Sequence, residues 1–368
     1  MNTIKISRFK CFEADEFELN KVTLLTGTNG AGKSSLIQAL LLCRIAIDKI
    51  RDKTPIADNH KSNDIPLNEE YQLKLGEVND IIRESTSNHG FEVIIDKDRF
   101  HFDTLDESNI SLKCDFSIDP SSVESFWIKK EFYYLHAERL GPRQYLESGV
   151  SSFLNCGQRG ELVAYVLNKM ETNNGFSSAL FKGSSLQFEI EVNKWLETVC
   201  PGITVGNNTL TSTLTQLKIK GPASKSDMLA TNIGFGVSYV LPIIITGLIA
   251  KKDSIIIVEN PEAHLHPKGQ SNIGYFLGKV ASAGVRILIE THSEHVVNGM
   301  RRAALDSDNL SNQDINIYFF NGFDDEKKLL KKNLIQIDEN GNLSDFPVDF
   351  FDQTRQDLLE IIQLSKKK

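Results

Sequence analysis

The sequence contains one octapeptide, Gly27-Thr28-Asn29-Gly30-Ala31-Gly32-Lys33-Ser34, that fits the P-loop spacing G-x-x-x-x-G-K-[ST] at every position. Residues 21–26 before it have the β-branched and apolar character of a buried strand. Residues 34–50 after it place apolar side chains at helical spacing. A glycine turn ahead of an ordinary helix is the alternative, but a strand, a glycine loop and a helix in this order favour a phosphate site.

The octapeptide has the chemistry of an anion site. Small residues let backbone N–H groups close around phosphate oxygens, and the start of the following helix adds a partial positive charge. Lys33 is predicted to reach the β- and γ-phosphates of ATP, and the Ser34 hydroxyl to coordinate Mg²⁺. The predicted ATP-binding residues are Thr28, Asn29, Gly30, Ala31, Gly32, Lys33, Ser34 and Ser35.

Composition limits the classes of protein to consider. The chain has 368 residues, enough for one large domain or two, and its 24% charged and 40% hydrophobic residues are typical of a soluble globular protein. The net charge of -8 gives no overall attraction to nucleic acid or anionic membrane. Five widely spaced cysteines without a C-x-x-C pair favour reduced thiols in a cytosolic protein. No signal peptide is expected, since no long apolar region follows the first charges.

One segment tests the soluble interpretation. Residues 233–250 form an uncharged stretch of 18 residues, the length at which a membrane span becomes a candidate. Ser238, Pro242 and three glycines weaken a lipid-facing helix. We therefore predict a loop that leads into a core helix, and no membrane contact.

Two further buried strands end in polar residues. Residues 254–258 lead into Glu259-Asn260-Pro261-Glu262, the Walker B pattern, in which Glu259 is predicted to hold Mg²⁺ through its water shell. Residues 285–291 lead into His292, which we predict to reach the γ-phosphate or the attacking water. A structural histidine is the alternative at that position.

Elsewhere, periodicity predicts the secondary structure coarsely. The predicted elements are strands at 3–9 and 17–27, a polar loop at 51–68, a hairpin at 91–103, strands at 111–118, 131–137 and 206–220, and helices at 160–168 and 188–199.

The order of these motifs resembles ABC-type ATPases of the SMC and OLD (overcoming lysogenization defect) class. Residues 6–12 are similar to the start of SMC-like heads, and residues 232–238 lie where that class carries its signature loop. Residues 263–267, Ala-His-Leu-His-Pro, look like the His-rich D-loop of OLD-like proteins. Residues 134–143 and 346–351 resemble a compact bacterial branch that lacks a coiled coil and a Toprim domain.

This resemblance implies a dimeric mechanism. Two heads would close face to face around two ATP molecules, in a homodimer or higher homo-oligomer. Gly234, Gly236 and Ser238 of one head would contact the γ-phosphate held by the P-loop of the other, and His292 would match the switch histidine. Glycines permit close backbone approach, which suits that role.

The predicted catalytic set, Glu259, Asn260, Glu262 and His292, departs from the ABC pattern at one position. ABC enzymes carry a glutamate directly after the Mg²⁺-holding acid, whereas this chain has Asn260. An amide orients water but cannot accept its proton. Glu262 is the alternative carboxylate. We therefore predict slow hydrolysis and a long-lived ATP-closed state.

The four histidines also permit a zinc-site interpretation. His264, His266, His292 and His295 include H-x-H and H-x-x-H pairs, which occur in zinc sites. Their places after two strands beside the phosphate motifs explain them without a metal.

Several functions fit these motifs. The leading hypothesis is an ATP-gated switch that controls an effector, a nuclease or toxin encoded nearby, in anti-phage defence or DNA maintenance. A nuclease in its own right is disfavoured, because little chain follows His292 and Asp324-Asp325-Glu326 is a poor metal site. The motifs are also compatible with the motor subunit of a transporter and with a DNA-binding or nuclease-associated repair ATPase. The basic cluster at 327–332 either contacts DNA or forms a solvated helix face.

We predict an α/β P-loop NTPase fold, an ABC-ATPase-like head with a central sheet, a β-rich subdomain and a helical lobe. The predicted divisions are 1–69 (first strands, P-loop and helix), 70–137 (β-rich subdomain), 138–230 (helical lobe), 231–310 (signature loop, Walker B, D-loop and switch histidine) and 311–368 (C-terminal strands and helix).

Overall fold

The structure is a computed structural model. It describes residues 2–51, 61–83, 90–105, 108–122, 125, 127–129, 131–147, 149, 153–172, 180, 188–211, 214–224, 226–232, 234–324, 326 and 329–366. The strands are β1 (Asn2–Phe9), β2 (Phe12–Leu19), β3 (Val22–Gly27), β4 (Lys61–Pro66), β5 (Gly90–Ile95), β6 (Asp98–Leu105), β7 (Ser108–Ser117), β8 (Phe132–Leu135), β9 (Leu146–Glu147), β10 (Thr204–Thr209), β11 (Leu214–Lys220), β12 (Met228–Leu229), β13 (Ile255–Glu259), β14 (Arg286–Glu290), β15 (Ile315–Phe323) and β16 (Leu330–Ile335). The helices are α1 (Lys33–Arg51), α2 (Val163–Thr172), α3 (Phe188–Val199), α4 (Phe235–Ile249), α5 (Pro267–Ser282), α6 (Glu294–Leu305) and α7 (Gln353–Ser365).

The central sheet has the strand order β16-β15-β3-β14-β13-β8. All of its strands except the antiparallel β16 run parallel, so the carboxyl ends of β3, β14 and β13 meet at one edge. These strands are continuous apolar runs, as expected where a sheet is covered on both faces. The predicted α/β fold with a central sheet is confirmed, and its three phosphate-side strands are adjacent.

A second sheet, ordered β2-β1-β5-β6-β7-β4, is antiparallel throughout. It shares one apolar core with α1, because alternate residues such as Phe91, Val93 and Ile95 point inward. The predicted hairpin at 91–103 and the strand at 111–118 are confirmed. The prediction of a loop at 51–68 is wrong at β4, a mostly polar strand at the edge of this sheet in which only Ile65 is buried. Residues 52–60 of that prediction lie outside the described residues.

The N-terminal strands number three rather than two. The strand predicted at 17–27 is interrupted at Asn20-Lys21, where β2 returns alongside β1 and β3 enters the central sheet. The Asn20 side chain accepts a hydrogen bond from the Lys21 N–H at 3.0 Å, which fixes the turn. The sequence pattern did not reveal this short turn, because the apolar and charged residues on both sides of it are also compatible with one continuous strand.

The predicted helical lobe contains a sheet as well as α2 and α3. Strands β10, β11 and β12 are consecutive neighbours in it, and β9 also pairs with β11. The single strand predicted at 206–220 is a hairpin of β10 and β11, whose tip includes residues outside the described part. The second sheet also draws strands from both sides of residue 69. The domain divisions stay a prediction.

The uncharged stretch forms a core helix, as predicted. Helix α4 is buried along most of its length, and Gly234 precedes it as an extended N-cap residue. Among the described residues, none of the helices combines the length and the apolar composition that a membrane crossing needs.

The C-terminal part ends in a helix with no buried residue, α7. Within the basic cluster, residues 330–332 belong to β16, so the helix-face alternative is wrong there. Lys327 and Lys328 lie outside the described residues, as does Asp325 of the disfavoured acidic site.

Candidate nucleotide-binding site

The P-loop connects β3 to α1 through three glycines in the left-handed region. Gly27, Gly30 and Gly32 have φ values of +128°, +74° and +103°, which other residues adopt rarely. A Cβ at Gly27 would lie 2.2 Å from the carbonyl oxygen of Phe320 on β15. The glycines of the motif are therefore required by the backbone of this loop.

Lys33 is buried beneath the loop. Its Nζ donates to the carbonyl oxygens of Gly27 at 2.9 Å and Thr28 at 2.7 Å. Burial lowers the pKa of Lys33, and the nearby carboxylates of Glu290 and Glu262 oppose that shift. Of the other predicted ATP-binding residues in the loop, Ala31 is buried, Gly32 and Ser35 are half-buried, and Thr28, Asn29, Gly30 and Ser34 are exposed. The loop therefore places exposed residues above the buried ammonium group of Lys33.

Glu259 ends β13, as the Walker B pattern predicts. Its Oε1 accepts from the Tyr134 hydroxyl at 2.9 Å, and its Oε2 accepts from the Ala137 N–H at 3.2 Å. Burial raises the pKa of Glu259, while these two hydrogen bonds and Arg139 act in the other direction. Both carboxylate oxygens therefore face donors from β8 and the segment after it.

Glu290, the last residue of β14, is a site residue that the sequence analysis missed. The Ser34 hydroxyl donates to its Oε1 at 2.9 Å. The residue is only 6% exposed. Burial, and then the negative charge of Glu259, raise the pKa of Glu290 to about 7. The signal was present in the sequence, because this buried strand ends in an acid just as β13 does.

Glu262 and His292 are brought together at the same edge. The Thr291 hydroxyl donates to Glu262 Oε2 at 2.7 Å, and the backbone N–H of His292 donates to Glu262 Oε1 at 2.8 Å. Burial and the charge of Lys33 lower the pKa of His292, while a hydrogen bond with the Gly27 backbone raises it. His292 therefore lies against the P-loop.

Asn260 follows Glu259 in a left-handed conformation with φ of +44°, which asparagine tolerates better than most residues. Its N–H donates to the Glu290 carbonyl oxygen at 2.8 Å. Its side-chain Oδ1 is buried and has no hydrogen-bond partner among the described residues.

The segment predicted to be the signature loop contacts the segment predicted to be the D-loop. A Cβ at Gly236 would lie 2.8 Å from the carbonyl oxygen of His264, whereas a Cβ at Gly234 would meet nothing within 4 Å. The Phe235 ring packs against the His264 ring, with centroids 5.3 Å apart. Ser238 lies within α4, half-buried. Gly234 is exposed at the start of α4.

Of the four histidines, His266 has a structural role. His266 Nδ1 accepts from the Lys268 N–H at 3.3 Å and so caps α5. In the part of the chain that the structure describes, no group of three or more His, Cys, Asp or Glu side chains is arranged to hold a metal ion.

The residues around Ser34 nevertheless fit Mg²⁺, which is bound through one or two carboxylates together with phosphates and water. The Ser34 hydroxyl donates a hydrogen bond to Glu290, so the lone pairs of the Ser34 oxygen stay available to a metal ion. The Glu290 Oε2 atom is buried without a hydrogen-bond partner among the described residues.

Sequence comparison gives three matches along the chain. The model described as "AAA domain" matches residues 3–139, and the model described as "AAA ATPase domain" matches residues 161–297. A third, "Protein of unknown function (DUF3696)", matches residues 310–361. No curated protein matches the sequence.

Structural comparison finds SMC head domains. One is the Smc head domain of Pyrococcus furiosus with an extended coiled coil, bound to the C-terminal domain of ScpA, at a TM-score of 0.53 and 9% identity, covering 99% of this chain and 100% of the other. A second is an Smc head bound to the C-winged helix domain of ScpA, at a TM-score of 0.50 and 12% identity, covering 92% and 98%. The chain therefore shares the SMC-head fold.

Proposed function

We propose that this chain, which shares the fold of an SMC head and matches two AAA domain models, is an ABC-type ATPase that binds ATP with Mg²⁺, pairs head to head with a second copy and gates a partner effector. The helix pairs of a coiled coil do not occur in the described residues, where the longest helix, α1, has 19 residues. The head itself would carry the switching activity.

The start of α4 is the observation that carries the pairing. Gly234 precedes this helix with no side-chain cap, and the space where its Cβ would lie is empty. The first N–H groups of a helix lack intrahelical partners and attract anions. An exposed glycine at that position lets the γ-phosphate of an ATP on a second copy approach those groups. Gly236 and Ser238, in the same first turn, would complete the contact.

Within each head, the residues at the sheet edge would bind the phosphates of ATP and position the γ-phosphate for hydrolysis. Lys33 would turn from the loop carbonyls to the β- and γ-phosphates. Mg²⁺, when bound, neutralises charge on the phosphates. The His292 side chain would contact the γ-phosphate, and the hydrogen bond from the His292 backbone N–H to Glu262 would fix its backbone. Because both Glu262 oxygens already accept hydrogen bonds, we assign Glu262 to positioning rather than to proton transfer.

Slow turnover is part of the proposal. Asn260 can orient the attacking water through its amide but cannot take its proton. Positioning and charge stabilisation supply much of the rate of phosphoryl transfer, so hydrolysis would continue slowly. The closed, ATP-bound pair would then be long-lived, which suits a switch.

Two observations support a protein partner. Two of the structural neighbours are SMC heads bound to domains of ScpA. In this chain, α7 exposes Leu358, Leu359, Ile361, Ile362 and Leu364, each about half accessible or more, and such clustered apolar surface is typical of contact with another protein. The effector, a nuclease or toxin encoded nearby, and the role in anti-phage defence or DNA maintenance belong to this proposal.

Direct DNA binding and a transporter-motor role have less support. Lys331 and Lys332 of the basic cluster form ion pairs with Asp324 and Asp15, which reduces the charge they could offer to DNA. The transporter-motor role has no observation in its favour among the described residues.

Sedimentation velocity with and without Mg-ATP tests the proposal. The parent protein should form a dimer or higher oligomer only with ATP, and Lys33→Ala should neither bind ATP nor associate. Lys5→Ala, which removes an exposed lysine from the second sheet, is the matched control and should behave like the parent. Identical association of the parent and Lys33→Ala proteins, with or without nucleotide, would refute the proposal.

A further inference from the structure

Glu259 and Glu290 are both candidates for the acid that holds Mg²⁺ at the edge of the central sheet. Glu259 and Glu290 are paired in register as the last residues of the neighbouring parallel strands β13 and β14. ABC-type enzymes are expected to use the acid that ends the Walker B strand, which is Glu259 here. The contacts of the two side chains favour Glu290 instead.

The Glu259 carboxylate is directed away from the P-loop strand. Its two oxygens accept from Tyr134, on β8, and from Ala137, just after β8. In the strand order, β8 lies on the side of β13 opposite to β14 and β3. Glu259 therefore joins the end of β13 to the chain on its outer side.

The Glu290 carboxylate is directed toward the P-loop. Strand β14 is the direct neighbour of β3, which leads into the P-loop, whereas β13 is one strand spacing, about 4.8 Å, farther away. The bond from Ser34 Oγ to Glu290 Oε1, 2.9 Å long, is the contact that this proximity produces. Ser34 keeps its lone pairs for a cation.

The second oxygen of Glu290 is the independent sign of a ligand. Glu290 is 6% exposed, and within the described part of the chain its buried Oε2 has no hydrogen-bond partner. A buried polar atom without a partner costs free energy that a bound group can offset. Mg²⁺ with its water shell takes carboxylate oxygens as ligands and supplies donors to them.

From these contacts we propose that Glu290, and not Glu259, is the acid that holds Mg²⁺ together with Ser34. Glu259 is then a positioning residue that fixes the end of β13 against Tyr134 and Ala137. This inference rests on the proposed function, because the cation enters with ATP.

Binding of Mn²⁺ in the presence of ADP, followed by electron paramagnetic resonance, tests the assignment without turnover. Glu290→Gln, which keeps the shape and removes the charge, should weaken Mn²⁺ binding roughly tenfold to hundredfold. Glu259→Gln should keep the Mn²⁺ affinity of the parent. Fluorescent ADP should still bind to all three proteins in EDTA, which shows that each is folded with an intact P-loop.

The outcomes are distinct. Loss of Mn²⁺ binding in Glu259→Gln together with its retention in Glu290→Gln would overturn the assignment and restore the Walker B acid. Unchanged Mn²⁺ binding in both variants would also overturn it, while leaving the nucleotide switch in place. A parent protein that binds no nucleotide would instead refute the proposed function, and this inference with it.

Discussion

Arg139 donates a hydrogen bond from Nη1 to the backbone carbonyl of Glu259, with 2.7 Å between the two atoms, in a site that leaves 2% of Arg139 exposed. The same side chain reaches the Asn260 carbonyl at 2.7 Å and the Tyr239 carbonyl, on α4, at 3.0 Å. Burial lowers the pKa of Arg139 to about 10. One guanidinium thus connects α4 to the end of β13.

Replacing Arg139 should destabilise the protein. Arg139→Lys keeps the charge but loses the planar set of donors, so at least one buried carbonyl is left unpaired. We expect the free energy of unfolding to fall by about 1–3 kcal/mol, measured by urea denaturation. Arg143→Lys, at an exposed position four residues later, is the control and should change it by less than about 0.5 kcal/mol. Equal effects of the two substitutions would contradict the structural role of Arg139.

Gly234→Asp should separate ATP binding from pairing. Gly234 has φ of −61° and free space at its Cβ position, and aspartate is a good N-cap residue, so the monomer should fold and bind ATP like the parent. Its carboxylate would face the γ-phosphate of the other head. Because like charges facing across an interface cost several kcal/mol, ATP-dependent association should weaken about 100-fold or more in sedimentation velocity.

The neutral Gly234→Asn is the control for that substitution. It has nearly the same shape as aspartate and should keep much more of the ATP-dependent association. If Gly234→Asp associates with ATP as tightly as the parent, the signature loop does not meet the phosphate.

Asn260→Glu should raise the rate of hydrolysis. If turnover is limited by the lack of a proton acceptor, a carboxylate here should increase kcat about 10- to 100-fold, although the positive φ of Asn260 costs this variant about 1 kcal/mol of stability. Asn260→Gln has the same length without the charge and should not accelerate the reaction. The measurement is steady-state phosphate release. A parent rate of roughly tens per second, ordinary for kinases, would already contradict slow turnover.

Asp98 should make stability depend on pH. This carboxyl group is fully buried at the start of β6, where burial raises its pKa to about 6 and the charges of Asp119 and Asp96 add to the effect. The folded state therefore binds the proton more tightly than the unfolded state. As pH rises from about 4 to 6 this contribution to stability is lost, and it stays lost above pH 6.

Asp98→Asn should remove that dependence. The difference in unfolding free energy between variant and parent should be near zero at pH 4 and reach at most about 3 kcal/mol in favour of the variant at pH 7, by urea denaturation. Asp308→Asn, which removes an exposed carboxylate, is the control for the assay. A difference for Asp98→Asn that does not change with pH would contradict the prediction.

Strong local patterns in the sequence were sufficient for much of the fold. The P-loop, the apolar runs of β13 and β14 and the helical period of α1 each arise from neighbours in the chain, and these elements are confirmed. The short turn at Asn20-Lys21 was missed because its own composition is ambiguous and because β3, which follows it, pairs with β14 and β15 far along the sequence. The polar edge strand β4 was missed for the same reasons, since its partner β7 is also distant in the sequence. The roles of the site residues stay predictions.

The sequence by itself determined that a phosphate loop, an acid after a buried strand and a histidine after another would be present, because each depends on residues within one short segment. Only the tertiary structure decided which acid lies beside Ser34. Strand β14 pairs with β3, although residues 28–285 lie between the two strands in the chain, and this pairing places Glu290 next to the P-loop. Strand order depends on packing of the whole sheet, and no local pattern encodes it.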